Sequence, residues 1–368
     1  MFSLADKYQP EPKMKQAALI ALVVLFIVSC SSKKNRKELS THKQSSVENW
    51  PTATWEYDTL ESAPQFTSIV DSFPGKYSLL IIKNGQVAFE SYQEPYAKDS
   101  LIHVNSCTKT VISLLFGAVF KEQLALNENR AAIDYFPEYS VNDSLIHEIK
   151  VKHLLSMSSG LDWRGGIDAD DVIQMSNTKD WAKYVFERKV IRPPGESFHY
   201  NSGGSQVIST ILNKQTTSGL LVFARENLFN PLGISEFKWD ATSKGVPKAG
   251  WGLHLKMEDM AKLGYLLLKN GKWNDLQIVP EAWVAKMSSR YVAANDNYDY
   301  GYQCWIPKDI GTESFLFIGS YPPSKKIVAV LPELNSVVVY VGENYNTTDL
   351  LRDFIVPALK QKSQSQTP

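Results

Sequence analysis

The chain carries no surplus of charge of either sign: 39 Lys and Arg stand against 39 Asp and Glu in 368 residues. Without such a surplus there is no field to draw nucleic acid or an anionic lipid surface, so any partner must be recognised by a local site. Cysteine is scarce, with 3 in all, too few for a disulfide framework. No His/Cys/Asp/Glu cluster has zinc-ligand spacing, and the paired histidines of a metal hydrolase are missing, so no metal and no cofactor is expected. A Gly-rich phosphate loop, a Gly-x-Ser-x-Gly elbow and internal repeats are missing as well.

What is present begins with an apolar run, Ala17 to Val28, behind Lys13 and Lys15. It is short for a bilayer span and suits the h-region of a secretory signal. The run ends in Ile27-Val28-Ser29-Cys30, which resembles a bacterial lipobox and implies lipidation of Cys30. A short membrane anchor with an incidental cysteine is the other reading. On the first reading residues 1–30 are a lipoprotein signal peptide, started at Met1 or Met14, and the product is exported. It would be anchored to a membrane through lipid alone and face the periplasm or the cell surface. Residues 31–60 read as a polar, Lys- and Ser-rich tether. Cys107 and Cys304 read as small buried side chains.

The stretch that organises the rest is His103-Val104-Asn105-Ser106-Cys107-Thr108-Lys109-Thr110, followed by the apolar run Val111 to Phe120. As a helix that run is hydrophobic on almost every face and belongs inside a domain. Ser106 falls at its first turn, where free N–H groups and the helix dipole favour negative charge. Lys109, three residues on, returns to the same face. Two readings stand: an activated serine nucleophile, or a Ser N-cap with a solvated lysine. Ser-x-x-Lys recurs at Ser31, Ser40, Ser176 and Ser235, but none of these precedes an apolar helix.

Residues 78–82 and 87–91 flank Asn84-Gly85, a strong hairpin signal. Helical patterns follow at 151–156, 170–187, 205–216, 219–228, 257–270 and 280–288. Strand patterns return at 300–306, 314–318, 327–331 and 336–341, before a last amphipathic helix over 348–360. Strands at both ends with helices between predict an α+β fold. An antiparallel sheet flanked by helices would carry a largely helical second lobe. The domain would span 61–368, with a sheet lobe of 61–105 and 290–362 and a helical lobe of 106–289.

Downstream, Tyr200-Asn201-Ser202 sits where a loop enters a helix. A phenol beside a buried lysine has its phenolate, the basic form, stabilised; a tyrosine capping the next helix is the plainer reading. Together with Ser106-Cys107-Thr108-Lys109, the run Leu154-Leu155-Ser156-Met157-Ser158-Ser159-Gly160-Leu161-Asp162-Trp163 and Trp251-Gly252-Leu253-His254, this order of motifs resembles the penicillin-recognising serine hydrolases. That family holds class C β-lactamases, D,D-peptidases, esterases and 6-aminohexanoate-dimer hydrolases, and the last branch resembles this chain most.

The resemblance implies acyl transfer through Ser106, with Lys109 and Tyr200 sharing the proton. It also implies an oxyanion site made by the Ser106 N–H and an N–H on the strand of the third motif. Ser202 stands where the family usually has Asn. The third motif aligns with Phe317-Ile318-Gly319-Ser320, so Phe317 replaces the family's cation and would offer an apolar wall. Lys325 and Lys326 would be surface lysines on a strand edge, or stand-ins for that cation. Trp163 is either an acyl-pocket wall or a core residue. His254 is a candidate substrate contact, and His199 is expected to point away. The substrate would be a small molecule or a peptide. An ester or amide hydrolase leads, a D,D-peptidase or β-lactamase is the alternative, and a non-catalytic ligand-binding protein on the same scaffold is the third reading.

Overall fold

The computed structural model describes residues 50–51, 54–58, 66–67, 76–120, 126–164, 170–343 and 345–361. Cys30 and the expected signal peptide lie outside these residues. Strand β1 (Tyr77–Lys83) turns into β2 (Gln86–Ser91) through Asn84 and Gly85. Their φ angles of 53° and 82° are the left-handed pair that a two-residue hairpin needs. A short β3 (Ile102–His103) runs into α1 (Cys107–Val119), every residue of which is buried.

Next come α2 (Val151–Leu155), α3 (Asp170–Ser176), α4 (Trp181–Phe186), α5 (Ser202–Gln215) and α6 (Leu220–Ala224). The helical pattern over 170–187 is thus two helices, because Asp180 accepts from the Lys183 N–H and starts α4 afresh. Strands β4 (Lys238–Trp239) and β5 (Leu253–Leu255) precede α7 (Met257–Leu268). A small ladder of β6 (Lys272–Trp273) and β7 (Leu276–Gln277) leads to α8 (Glu281–Ser288).

The remaining strands are β8 (Val292–Ala293), β9 (Tyr298–Tyr300), β10 (Trp305–Pro307), β11 (Phe315–Tyr321), β12 (Ser324–Leu331) and β13 (Ser336–Glu343). The strand expected over 300–306 is in fact the β9–β10 hairpin. Its connecting loop is tied down by Gln303, whose Nε2 donates to the Leu154 and Leu155 carbonyls at 3.0 and 2.9 Å.

The main sheet runs β2-β1-β13-β12-β11-β10-β9-β8, with antiparallel pairing throughout. Period-two alternation explains its two faces. Val328, Val330, Val337 and Val339 join the larger core with α1 and α7. Ile327, Ala329, Val338 and Tyr340 join a second core with Leu350, Leu351, Ile355 and Leu359 of the C-terminal helical segment.

The mixed α+β architecture matches the sequence reading, with one rearrangement. Helix α7, inside the stretch assigned to the helical lobe, lies flat on the sheet. A Cβ on Gly264 would come within 2.7 Å of Val337 and 2.8 Å of Val328. Earlier in the chain, Trp50 and Trp55 pack edge-on against Tyr265 at 5.7 and 5.5 Å, so the packed body begins inside the stretch read as tether. Among the described residues no helix is long and apolar enough to cross a membrane.

Candidate active site

The site forms where α1 begins. Ser106 makes no side-chain cap to its helix, so the plain N-cap reading does not hold. Its Oγ lies 2.9 Å from Lys109 Nζ, as the three-residue spacing predicts for one helix face. Lys109 is 2% exposed, which removes the solvated-lysine reading too. Burying an amine demands oxygen partners, and the second is the Gly250 carbonyl at 2.7 Å. That same carbonyl accepts from Ser106 Oγ at 3.3 Å. Gly250 precedes the Trp251 motif but was not singled out by the sequence, because a backbone carbonyl leaves no mark on residue type.

Tyr200 stands over this pair, its ring centroid 4.8 Å from Lys109 Nζ. It does not cap α5: Asn201 does, accepting from the Gly204 N–H at 3.0 Å. Ser202 opens α5 and lines the same cleft. The glycine after it is forced by packing, since a Cβ on Gly203 would sit 2.5 Å from the Trp163 ring. Here one expectation is corrected. Trp163 is 1% exposed, a core residue that meets Tyr184 edge-on rather than a pocket wall. His199 points away, its Nε2 bonded to the Trp163 carbonyl.

Strand β11 closes the other side. A Cβ on Gly319 would lie 2.2 Å from the Val104 carbonyl oxygen and 3.1 Å from Cys107 N, so only glycine lets the strand approach the start of α1. Ser320 faces the cleft beside Ile318. Phe317 does not, which is a second correction. It is 1% exposed and packs into the core with Val104, Val111 and Val328. Side chains alternate along a strand, so the apolar wall is Ile318 and not its neighbour. β10 meets β11 only at Trp305 and Leu316, which leaves the Phe317–Tyr321 half as an open edge beside Ser106.

Three further placements differ from expectation. His254 pairs across strands with His103, ring to ring at 4.7 Å. It is His103, one strand nearer Ser106, that lines the cleft. Burial, with His254 and Lys326 nearby, holds the His103 pKa below its ordinary value. Lys325 and Lys326 are not surface residues of an edge strand, because β12 is paired on both sides. Lys326 is 5% exposed and donates to Ser324 Oγ, and Lys325 donates to the Tyr345 carbonyl at 2.7 Å. Burial lowers both lysine pKa values. Cys107 and Cys304 are free and buried, as read. Burial pushes the Cys107 thiol up to about 12, so it stays protonated and inert.

The cleft has a volume of about 730 Å³. Asn105, Val172, Ile173, Trp251, Trp305 and Tyr321 complete its described walls, and among the described residues that line it there is no Lys, Arg, Asp or Glu. Trp305 stacks on Tyr200, with centroids 6.0 Å apart.

The chain that carries this buried Ser-Lys pair, at the head of a core helix and against a glycine-bearing sheet edge, matches a known family over most of its length. Residues 67–354 match the family described as Beta-lactamase. The chain belongs to that family.

Solved structures share the fold. One, from Bacillus anthracis and described as a 6-aminohexanoate-dimer hydrolase, has a TM-score of 0.70 at 19% identity and covers 85% of this chain and 89% of its own. A penicillin binding protein from Bacillus halodurans gives 0.64 at 18% identity, covering 80% and 99%. A D-stereospecific amidohydrolase from Streptomyces gives 0.62 at 13% identity, covering 79% and 97%. At these identities the likeness is one of fold. The β-lactamase-family fold with such neighbours is that of a hydrolase.

Proposed function

We propose that the protein is a serine hydrolase that opens an uncharged ester or amide through an acyl-enzyme on Ser106. The observation that carries the reading is Lys109, buried, 2.9 Å from the Ser106 hydroxyl and held there by Gly250. Ser106 Oγ attacks the carbonyl carbon and gives up its proton to the Lys109–Tyr200 pair. The tetrahedral oxyanion takes hydrogen bonds from the Ser106 N–H at the head of α1 and from an N–H on the open half of β11. Collapse expels the alcohol or amine, which receives the proton from the pair. Water then enters, the pair takes one of its protons, and the acid leaves with Ser106 restored.

The walls support the substrate class. With no charged side chain among the described lining residues, a substrate carboxylate would be desolvated against Ile318 and Trp305 without a cationic partner. A charge-assisted hydrogen bond from a cation to that carboxylate would contribute about 1.5–3 kcal/mol, roughly ten- to a hundredfold in affinity. Purified protein is therefore expected to hydrolyse a neutral 4-nitrophenyl ester with higher kcat/KM than benzylpenicillin or a D-alanyl-D-alanine peptide, and Ser106→Ala to abolish both. Faster turnover of benzylpenicillin would point to the D,D-peptidase or β-lactamase alternative. The reading also includes export as a lipoprotein acylated at Cys30, which the residues before Cys30 support.

A further inference from the structure

Asn105, the residue before the nucleophile, is an unusual choice for its place. Its φ is 49°, in the left-handed region where glycine is the cheapest residue and Asn the best-tolerated alternative. The backbone there is held firmly. Thr108 donates to the Asn105 carbonyl through both its N–H, at 3.1 Å, and its Oγ1, at 2.7 Å. Glycine would fit that turn without a side chain to bury, yet the chain keeps an amide that is only 7% exposed.

One end of the amide is fixed, because Asn105 Oδ1 meets His103 Nδ1. His103 is fixed in turn by β3–β5 pairing and by the His254 ring. The other end, Nδ2, is buried with no hydrogen-bond partner among the described residues. A buried donor left unpaired costs stability and calls for a reason. Asn105 lines the cleft next to Ser106, and a substrate seated there would carry the kind of acceptor that this donor lacks.

Building on the serine hydrolase reading, we infer that Asn105 is a substrate-binding residue whose Nδ2 donates to an acceptor oxygen close to the scissile bond. The preferred substrates are then neutral esters or amides that carry a second carbonyl, such as an N-acyl group, rather than plain alkyl esters. His103 acts through Asn105 as a positioning residue, turning Nδ2 toward the ligand by holding Oδ1.

Two isosteric substrate pairs test this. The 4-nitrophenyl esters of N-acetylglycine and pentanoic acid differ by an amide in the acyl chain. The butanoate esters of N-acetylethanolamine and pentanol differ by an amide on the alcohol side. For at least one pair, wild-type kcat/KM should favour the amide member about tenfold beyond the ratio of alkaline hydrolysis, as one neutral hydrogen bond allows. Asn105→Gly keeps the left-handed turn and removes the donor. Asn105→Asp keeps the His103 contact and swaps donor for acceptor. Both should erase that preference while lowering turnover of the plain ester less.

Equal losses on both members would overturn the inference and leave Asn105 as a purely structural residue. If neither variant shows a melting transition, the wild-type ratios still decide, since a match to alkaline hydrolysis in both pairs refutes the contact. Hydrolysis surviving in Ser106→Ala would overturn the serine reading, and with it this inference, by a separate route.

Discussion

An amine kept 2% exposed has to repay its lost hydration through direct hydrogen bonds, and the two oxygens at Lys109 belong to Ser106 and Gly250. The serine, lysine and carbonyl therefore constrain one another. Tyr200 adds its ring over the amine, and in the proposed mechanism the three side chains act as a unit. Lys109→Ala and Tyr200→Phe are each expected to lower kcat by about 10²–10⁴, and the double variant by far less than the product of the two. Steady-state kinetics on a neutral ester checks this, and full activity in Tyr200→Phe would leave Lys109 as the sole base. Ser106 and Lys109 were legible because a three-residue spacing puts them on one helix face, and Tyr200 because the order of motifs resembles the family's. Asn105, His103 and Gly250 were not, since their parts depend on a backbone angle, a cross-strand contact and a carbonyl that no residue pattern reports.

At the scale of elements, legibility followed periodicity. The β1–β2 hairpin, α1 and β11 to β13 were visible as turn signals and apolar runs. The β9–β10 hairpin read as one strand because Tyr300, Tyr302, Trp305 and Ile306 are aromatic and β-branched residues typical of strands, while the buried loop residues Gln303 and Cys304 carry no turn signal. Strand β11 teaches the sharper lesson. Aligning Gly319 with the family's third motif is supported by the 2.2 Å clash that any Cβ there would make with Val104 O. Yet the same alignment gave Phe317 a role in the cleft that period-two geometry hands to Ile318 and Ser320. Motif position fixes where a strand passes, and only the register of its faces tells which side chain meets a substrate. Helix α7 shows the same limit, since its pattern disclosed an apolar face but not that the face lies on the sheet at Val328 and Val337.

For the whole molecule, the sheet and the core helices hold a cleft whose described walls are largely apolar, around the Ser106 hydroxyl and its Lys109 partner. The N-terminal residues would place that cleft outside the cytoplasm. If Cys30 carries the lipid, Cys30→Ala should shift the protein from the membrane fraction to the soluble one or stall its processing, and unchanged fractionation and processing would sink the lipoprotein proposal. Whether Ser106 is the nucleophile can be read in one step with a fluorophosphonate probe. Incubated with the folded protein and mapped by peptide mass spectrometry, the probe should modify Ser106 alone, and it should fail on Ser106→Ala. Modification of any other residue, or none in a folded sample that still hydrolyses esters, would contradict the account.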